Sequence, residues 1–296
     1  MAHDLPQIAL RDGNLMPQLG FGTWQVPAAD CPRILGDAIR AGYRAFDTAQ
    51  GYGNESGVGA AIAQSGIERS AFFITSKLRN IAHQRDLALR SFDETMKALG
   101  VEQLDLFLVH WPVPAEDKYV EAWKTLVELQ QQGHVRSIGV SNFEREHIER
   151  LIAETGVTPA VNQIELHPLF QQRDFRGYHT RRNIRIASWS PLGPGTSSSF
   201  WWHSHGHTSD GSAIEHPAVM ALAHKYGKTP AQVIIRWHLQ EGLLLNPHSS
   251  RAERMAENIA VFDFALDAED MYRIEALDRP DDGRIGAAPK DWALMF

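Results

Sequence analysis

The sequence predicts an α/β fold: a (β/α)8 TIM barrel with an N-terminal β-hairpin, an extra C-terminal helix and variable loops over the C-terminal face. Three observations predict it. Short apolar runs alternate with longer helical stretches along the whole chain. The alternation repeats eight times, the number a closed parallel barrel needs. The chain has 296 residues, a length at which such barrels form one domain, so residues 1–296 are expected to be a single unit.

The predicted strands are residues 19–22, 45–47, 71–76, 104–110, 135–140, 160–163, 185–189 and 243–245. The near-continuous apolar run of the fifth, residues 135–140, suits a strand buried on both faces. The helices between them are residues 31–41, 55–64, 84–99, 119–131, 145–154 and 172–182, then the pair 217–226 and 230–240, then 251–260. In the third helix Leu89, Phe92, Met96 and Leu99 recur at helical spacing. Two pieces lie outside the repeat. Residues 8–17 read as a hairpin around Arg11-Asp12-Gly13-Asn14, and residues 267–277 as one more helix before a tail. The long segment after the seventh strand, with Gly193-Pro194-Gly195-Thr196 and a serine run, is a loop by composition.

Composition narrows function. With 43% hydrophobic and 22% charged residues, the chain is neither disordered nor a disulfide scaffold. Its formal charge of -7 argues against nucleic acid as a partner. One cysteine, Cys31, cannot form an internal disulfide, which suits a reducing compartment. Met1-Ala2-His3-Asp4 lacks the basic and apolar regions of a signal peptide, and no apolar run approaches a membrane span. A cytoplasmic protein with no membrane partner is expected.

In a barrel the functional face lies at the carboxyl ends of the strands. The residues there are Gly22-Thr23-Trp24, Asp47, Ser76-Lys77, His110-Trp111, Ser141-Asn142, Gln163, Trp189-Ser190 and Asn246. Each alone has a structural explanation: a helix cap, a solvated lysine, a core histidine. Together they place acid, base, cation, amides and indoles on one face, which points to a catalytic site.

These residues lie in motifs that resemble the aldo-keto reductase family. Phe46-Asp47-Thr48-Ala49-Gln50-Gly51-Tyr52-Gly53-Asn54-Glu55 is similar to one signature of that family, and Leu108-Val109-His110-Trp111-Pro112 to another. Gly139-Val140-Ser141-Asn142-Phe143 and Asn162-Gln163-Ile164-Glu165-Leu166-His167-Pro168 resemble two more. The likeness runs from about Ile8 to about Leu277, and within the family it is greatest to the bacterial 2,5-diketo-gluconate reductase type.

The resemblance implies NADPH-dependent reduction of an aldehyde or ketone to an alcohol by hydride transfer. Its catalytic tetrad maps onto Asp47, Tyr52, Lys77 and His110. Tyr52 would be the general acid. A free tyrosine titrates near 10, and the Lys77 ammonium is expected to lower that value. Asp47 would hold Lys77, and His110 would orient the carbonyl. Cofactor contacts are expected from Gly22, Thr23, Trp24, Asp47, Ser141, Asn142 and Gln163, and from Trp189 stacking on the nicotinamide, with Ser190, Leu192 and Gly193 beside it. At the adenosine end the resemblance implies His248, Ser249, Arg254, Glu257 and Asn258. Relatives often carry lysine where this chain has His248, so NADH is kept as an alternative cofactor. A histidine at the 2′-phosphate predicts NADPH affinity that falls between about pH 6 and 8.

Trp24, Tyr52, His110, Trp111, Trp201 and Trp292 are the expected walls of a pocket for a small carbonyl substrate. Trp201 and Trp202 serve equally well as pins for their loop. His203, His205 and His207 form a run that reads as a polar loop rather than a metal site, and no metal is expected. The family suggests a monomer. Two other functions fit less well: a nicotinamide-sensing regulatory subunit of the same fold with little turnover, and a metal-dependent barrel hydrolase.

Overall fold

The computed structural model describes residues 5–193 and 212–289. Trp201, Trp202, Trp292 and the His203–His205–His207 run lie outside these residues. The chain begins with an antiparallel hairpin, β1 (Gln7–Ala9) and β2 (Leu15–Pro17). Eight parallel strands follow: β3 (Phe21–Gly22), β4 (Ala45–Asp47), β5 (Phe73–Leu78), β6 (Leu104–Val109), β7 (Val135–Ser141), β8 (Val161–Glu165), β9 (Arg185–Trp189) and β10 (Leu244–Leu245). They pair in chain order. The circle closes through Leu19, which bridges Leu245 in parallel, with the Gly20 amide donating to the Leu245 carbonyl at 2.9 Å.

The helices are α1 (Cys31–Ala41), α2 (Glu55–Gln64), α3 (Arg85–Leu99), α4 (Tyr119–Gln131), α5 (Arg145–Thr155), α6 (Arg173–Arg182), α7 (Pro217–Tyr226), α8 (Pro230–Gln240), α9 (Ala252–Ile259) and α10 (Ala268–Glu275). α1 shows why they dock. Its buried residues Cys31, Ile34, Leu35, Ala38 and Ile39 recur every three or four positions and form one apolar stripe. α10 is the extra helix, tied to α7 by Lys225, which donates to Asp267 and to the buried Asp270 at 2.7 and 2.6 Å.

Two layers of core result. One lies between strands and helices. The other lies inside the barrel, where Ala45, Phe73, Leu106, Leu108, Val161 and Leu244 join Leu10 and Met16 from the hairpin region. The hairpin thus stops the N-terminal end of the barrel, leaving the C-terminal end for polar groups. Among the described residues no helix is long and apolar enough to cross a membrane.

Most expected elements are present, with shifted ends. The first strand is shorter than residues 19–22, because Leu19 makes only an isolated bridge. The third begins later than residue 71, because Arg69–Ala71 form a 3-10 turn, and it runs through Lys77 to Leu78. Strand alternation then decides direction. Ile74 and Leu78 join the outer core, Ser76 meets Glu55 of α2, and Lys77 points inward.

Candidate active site

The inward register places Asp47 of β4 and Lys77 of β5 together at the barrel mouth. The Lys77 ammonium has no exposed surface and uses all three protons. It donates to Asp47 Oδ1 at 2.5 Å, to the Thr48 carbonyl at 2.9 Å and to Tyr52 Oη at 3.3 Å. The second Asp47 oxygen accepts from Gln163 Nε2 of β8 at 2.8 Å, across the mouth. His110 follows β6, and its ring meets the Tyr52 ring edge-on at 5.7 Å.

Tyr52 ends a 3-10 turn, Gln50–Tyr52, fixed from both sides. The Gln50 side chain donates to the Ser91 carbonyl and Thr95 of α3 and accepts from the Arg79 amide. Buried Asn54 donates to the Thr23 and Val26 carbonyls at 2.8 and 2.9 Å and accepts from Thr48 at 2.7 Å. Sequence reading passed over both residues. Their signal was a polar amide on either side of the tyrosine, the second of them at the N-cap of α2.

Charge states follow from these contacts. Burial pushes the Tyr52 phenol above its ordinary value; Lys77 pulls it down and Asp47 pushes it up. The expected net lowering by Lys77 is therefore corrected: dehydration outweighs the ammonium. Burial works against the charged form of Lys77, but Asp47 and Tyr52 hold its pKa above the ordinary lysine value. Burial, then Lys77, then His83 push His110 well below the usual imidazole range. At neutral pH the site holds a protonated phenol, an ammonium and a neutral imidazole. Because Tyr52 Oη accepts from Lys77, its own proton is free to turn toward the cavity.

That cavity has a volume of about 1010 Å3 and runs from Tyr52 and His110 to α9. It is lined by most of the expected residues: Gly22, Trp24, Asp47, Trp111, Ser141, Asn142, Gln163, Trp189, Ser190, Leu192, Gly193, His248, Ser249, Arg254, Glu257 and Asn258. Gly22 has no substitute here, since a Cβ would come within 2.8 Å of the Asn246 carbonyl oxygen. Thr23 is a correction. Its side chain is fully buried, turned away from the cavity, and donates to the Asp47 carbonyl at 3.0 Å. Lys77 lies behind Tyr52 rather than on the wall.

Asn142 has a left-handed φ of 62°, which asparagine tolerates better than most residues. The turn aims its amide back at the site. It donates to the His110 carbonyl at 3.1 Å and to Ser141 Oγ at 3.0 Å, and accepts from Trp189 Nε1 at 2.8 Å. The Trp189 indole is thus oriented by Asn142, a coupling that sequence reading did not foresee.

At the far end Arg254 and Glu257 are exposed on α9, while Asn258 and Ser249 are buried. His248 keeps an exposed edge, but its ring lies 5.8 Å from Phe21, edge-on, and its Nδ1 meets the Gly22 carbonyl at 3.2 Å. Dehydration there lowers its pKa below the ordinary 6.5, with the Gly22 bond opposing. Sequence reading missed Thr229, Pro230 and Ala231 at the start of α8, and Gly286 and Ala287 of the tail, which also line the cavity. No local pattern marks them, because only the barrel brings them to its mouth.

The family model described as Aldo/keto reductase family matches residues 18–279. An aldo-keto reductase of Mycolicibacterium smegmatis is 46% identical over 96% of this chain and 97% of its own. Methylglyoxal reductase DkgA of Escherichia coli K12 is 45% identical over 95% of this chain and 96% of its own. Among solved structures, apo Gox0644 superposes with a TM-score of 0.88 at 44% identity, covering 98% of this chain and all of that one. A Gox0644 mutant solved in complex with NADPH matches equally well.

Proposed function

From the premise that the chain belongs to the aldo/keto reductase family, we propose that it reduces a small aldehyde or ketone with NADPH, using Tyr52 as the proton donor. The observation that carries this reading is the Lys77 ammonium. It occupies one side of Tyr52 Oη and is itself clamped by Asp47, which leaves the phenol proton free to turn toward the cavity.

The cavity suits a nicotinamide dinucleotide. Its volume is at the top of the range for small-molecule sites. It offers hydroxyl and amide groups at Ser141 and Gln163, an indole at Trp189, and a guanidinium at Arg254 for a phosphate. Ser188 Oγ and Asn246 Nδ2 are buried beside it without hydrogen-bond partners among the described residues, and both residues line the space. When bound, NADPH supplies the hydride. Ser141, Asn142 and Gln163 would hold the carboxamide side, with Trp189 against the ring. Ser249, Arg254 and Asn258 would hold the adenosine phosphate end.

The chain's residues then divide the work. His110, neutral, donates a hydrogen bond to the carbonyl oxygen and fixes its direction. Charge grows on that oxygen, and Tyr52 Oη delivers its proton there. Lys77 stabilises the phenolate that remains. Asp47 keeps the lysine charged and in place. Trp24 and Trp111 form apolar walls beside the reacting carbonyl. The methylglyoxal reductase relatives make small dicarbonyls the first substrates to try.

The test is a fluorescence titration with NADPH and NADH, followed by NADPH oxidation over a carbonyl panel that includes methylglyoxal. Tyr52→Phe should keep nucleotide binding and lose turnover by about a thousandfold. Full turnover in that variant would overturn Tyr52 as the acid. Tight binding with no turnover on any carbonyl would point instead to a nicotinamide-sensing subunit.

A further inference from the structure

The mechanism above leaves Glu165 without a role, yet it is a carboxylate with about 1% exposure, beside the site. It is the last residue of β8 and pairs across the sheet with Trp189 of β9. Its ligands come mostly from one place. Oε1 accepts from the Ile285 amide at 2.6 Å and Oε2 from the Gly286 amide at 2.9 Å. Arg284 lies 3.7 Å from Oε2, and His167 Nε2 lies 3.2 Å from Oε1. Two adjacent backbone amides on one buried carboxylate form a fixed, two-point attachment.

The attached segment reaches the site walls. A Cβ on Gly286 would come within 2.3 Å of the Trp189 ring and 2.9 Å of Glu165 Oε2, so the backbone lies directly against the indole. The next residue, Ala287, packs with Trp111 and Val113. Gly286 and Ala287 both line the cavity. The segment therefore spans from the indole beside the nicotinamide region to the indole beside the carbonyl region.

We propose that Glu165 is a positioning residue that latches residues 284–287 across the barrel mouth, fixing the Trp189 indole and setting one wall of the substrate pocket. This rests on the reductase reading for its kinetic part only. A neutral glutamine has a single acceptor. Its amide nitrogen would face the Ile285 or Gly286 N–H donor to donor, so the attachment halves and the wall loosens. Tyr52, Lys77 and Asp47 keep their own contacts, so the chemical step is spared and substrate affinity is not.

The experiment uses the full chain. Amide hydrogen exchange is read on the peptide spanning residues 283–289, and KM and kcat are read with NADPH and methylglyoxal. Glu165→Gln should speed exchange at that peptide about tenfold or more, and raise KM about tenfold with kcat within about threefold. Gly286→Ala keeps the Glu165 side chain but sets a methyl within 2.3 Å of the Trp189 ring and 2.9 Å of Glu165 Oε2, so it pushes the segment off from the other side; it should speed the same exchange, and carries that test if Glu165→Gln does not fold. Unchanged exchange in the variants would overturn the latch. So would a fall in kcat that tracks lost thermal stability while KM stays put. If the wild-type chain turns over no carbonyl, the reductase reading fails, and the exchange data still decide the latch.

Discussion

Replacing Asp47 by asparagine tests the site at its most loaded contact. One Asp47 oxygen lies 2.5 Å from the Lys77 ammonium, and the other accepts from Gln163 at 2.8 Å. At an effective dielectric near 20, charges at that separation attract by about 6–7 kcal/mol before dehydration is counted. Losing one partner of a buried pair costs about 3–5 kcal/mol net. Asparagine keeps the shape and one acceptor. If its oxygen faces Lys77, its amide nitrogen faces the Gln163 nitrogen, donor to donor, and Gln163 must rotate. The cost should sit near the lower limit, about 3 kcal/mol, or about 5–10 °C in Tm for a chain of this size. Lys77 loses the main group that raises its pKa against burial. Without a secured ammonium, Tyr52 has no partner for its developing phenolate, and kcat should fall about 10²–10³-fold. Thermal unfolding and NADPH oxidation, measured on one preparation, read both effects. An Asp47→Asn protein melting within about 1 °C of wild type, with kcat within about threefold, would refute the reasoning.

Other outcomes follow from the same geometry. Trp189→Phe keeps a ring but removes the donor to Asn142 Oδ1; NADPH should bind about fivefold more weakly by titration, the effect of about 1 kcal/mol, and unchanged affinity would deny the coupling. Burial holds His83, His179 and His238 down at about 4, so the unfolded chain binds protons that the fold refuses between pH 6.5 and 4. Stability should be full above pH 6.5 and fall toward pH 4 by about 3 kcal/mol per histidine, seen as a lower urea midpoint at pH 4.5 than at pH 7. With the His248 pKa below 6.5 in the free protein, any gain in NADPH affinity from its charge should already be fading as pH rises through that region. NADH, which lacks the 2′-phosphate, should show no such slope, and parallel profiles for the two nucleotides would remove His248 from the phosphate site.

Much of the fold was legible because strands and helices differ in period, and both periods are local. The apolar stripe of α1 and the eight-fold alternation need no knowledge of what packs where. Asp47 and His110 were legible for a related reason: they stand at or just after strand ends, and a barrel gathers strand ends at one face. Tyr52, in a 3-10 turn, was marked only by the resemblance of its motif to the family's. Strand boundaries were less legible. A third strand ending at residue 76 puts Lys77 just past its end, whereas β5 continues to Leu78 and alternation turns Lys77 inward.

What the chain's own order determined, then, was which elements exist and which polar residues crowd one end. Tertiary structure alone decided direction, charge and long-range company. Thr23 belongs to the same motif as Gly22 and Trp24, but the end of β4 takes its hydroxyl and turns it away. Tyr52 stands beside an ammonium, yet its phenol is raised, because dehydration depends on everything packed around it. Glu165 and Gly286 are 121 positions apart and meet only because the tail returns over the barrel mouth. Local periodicity carries no information about such a contact, since its strength comes from removing both partners from water, and that happens only once the barrel has closed.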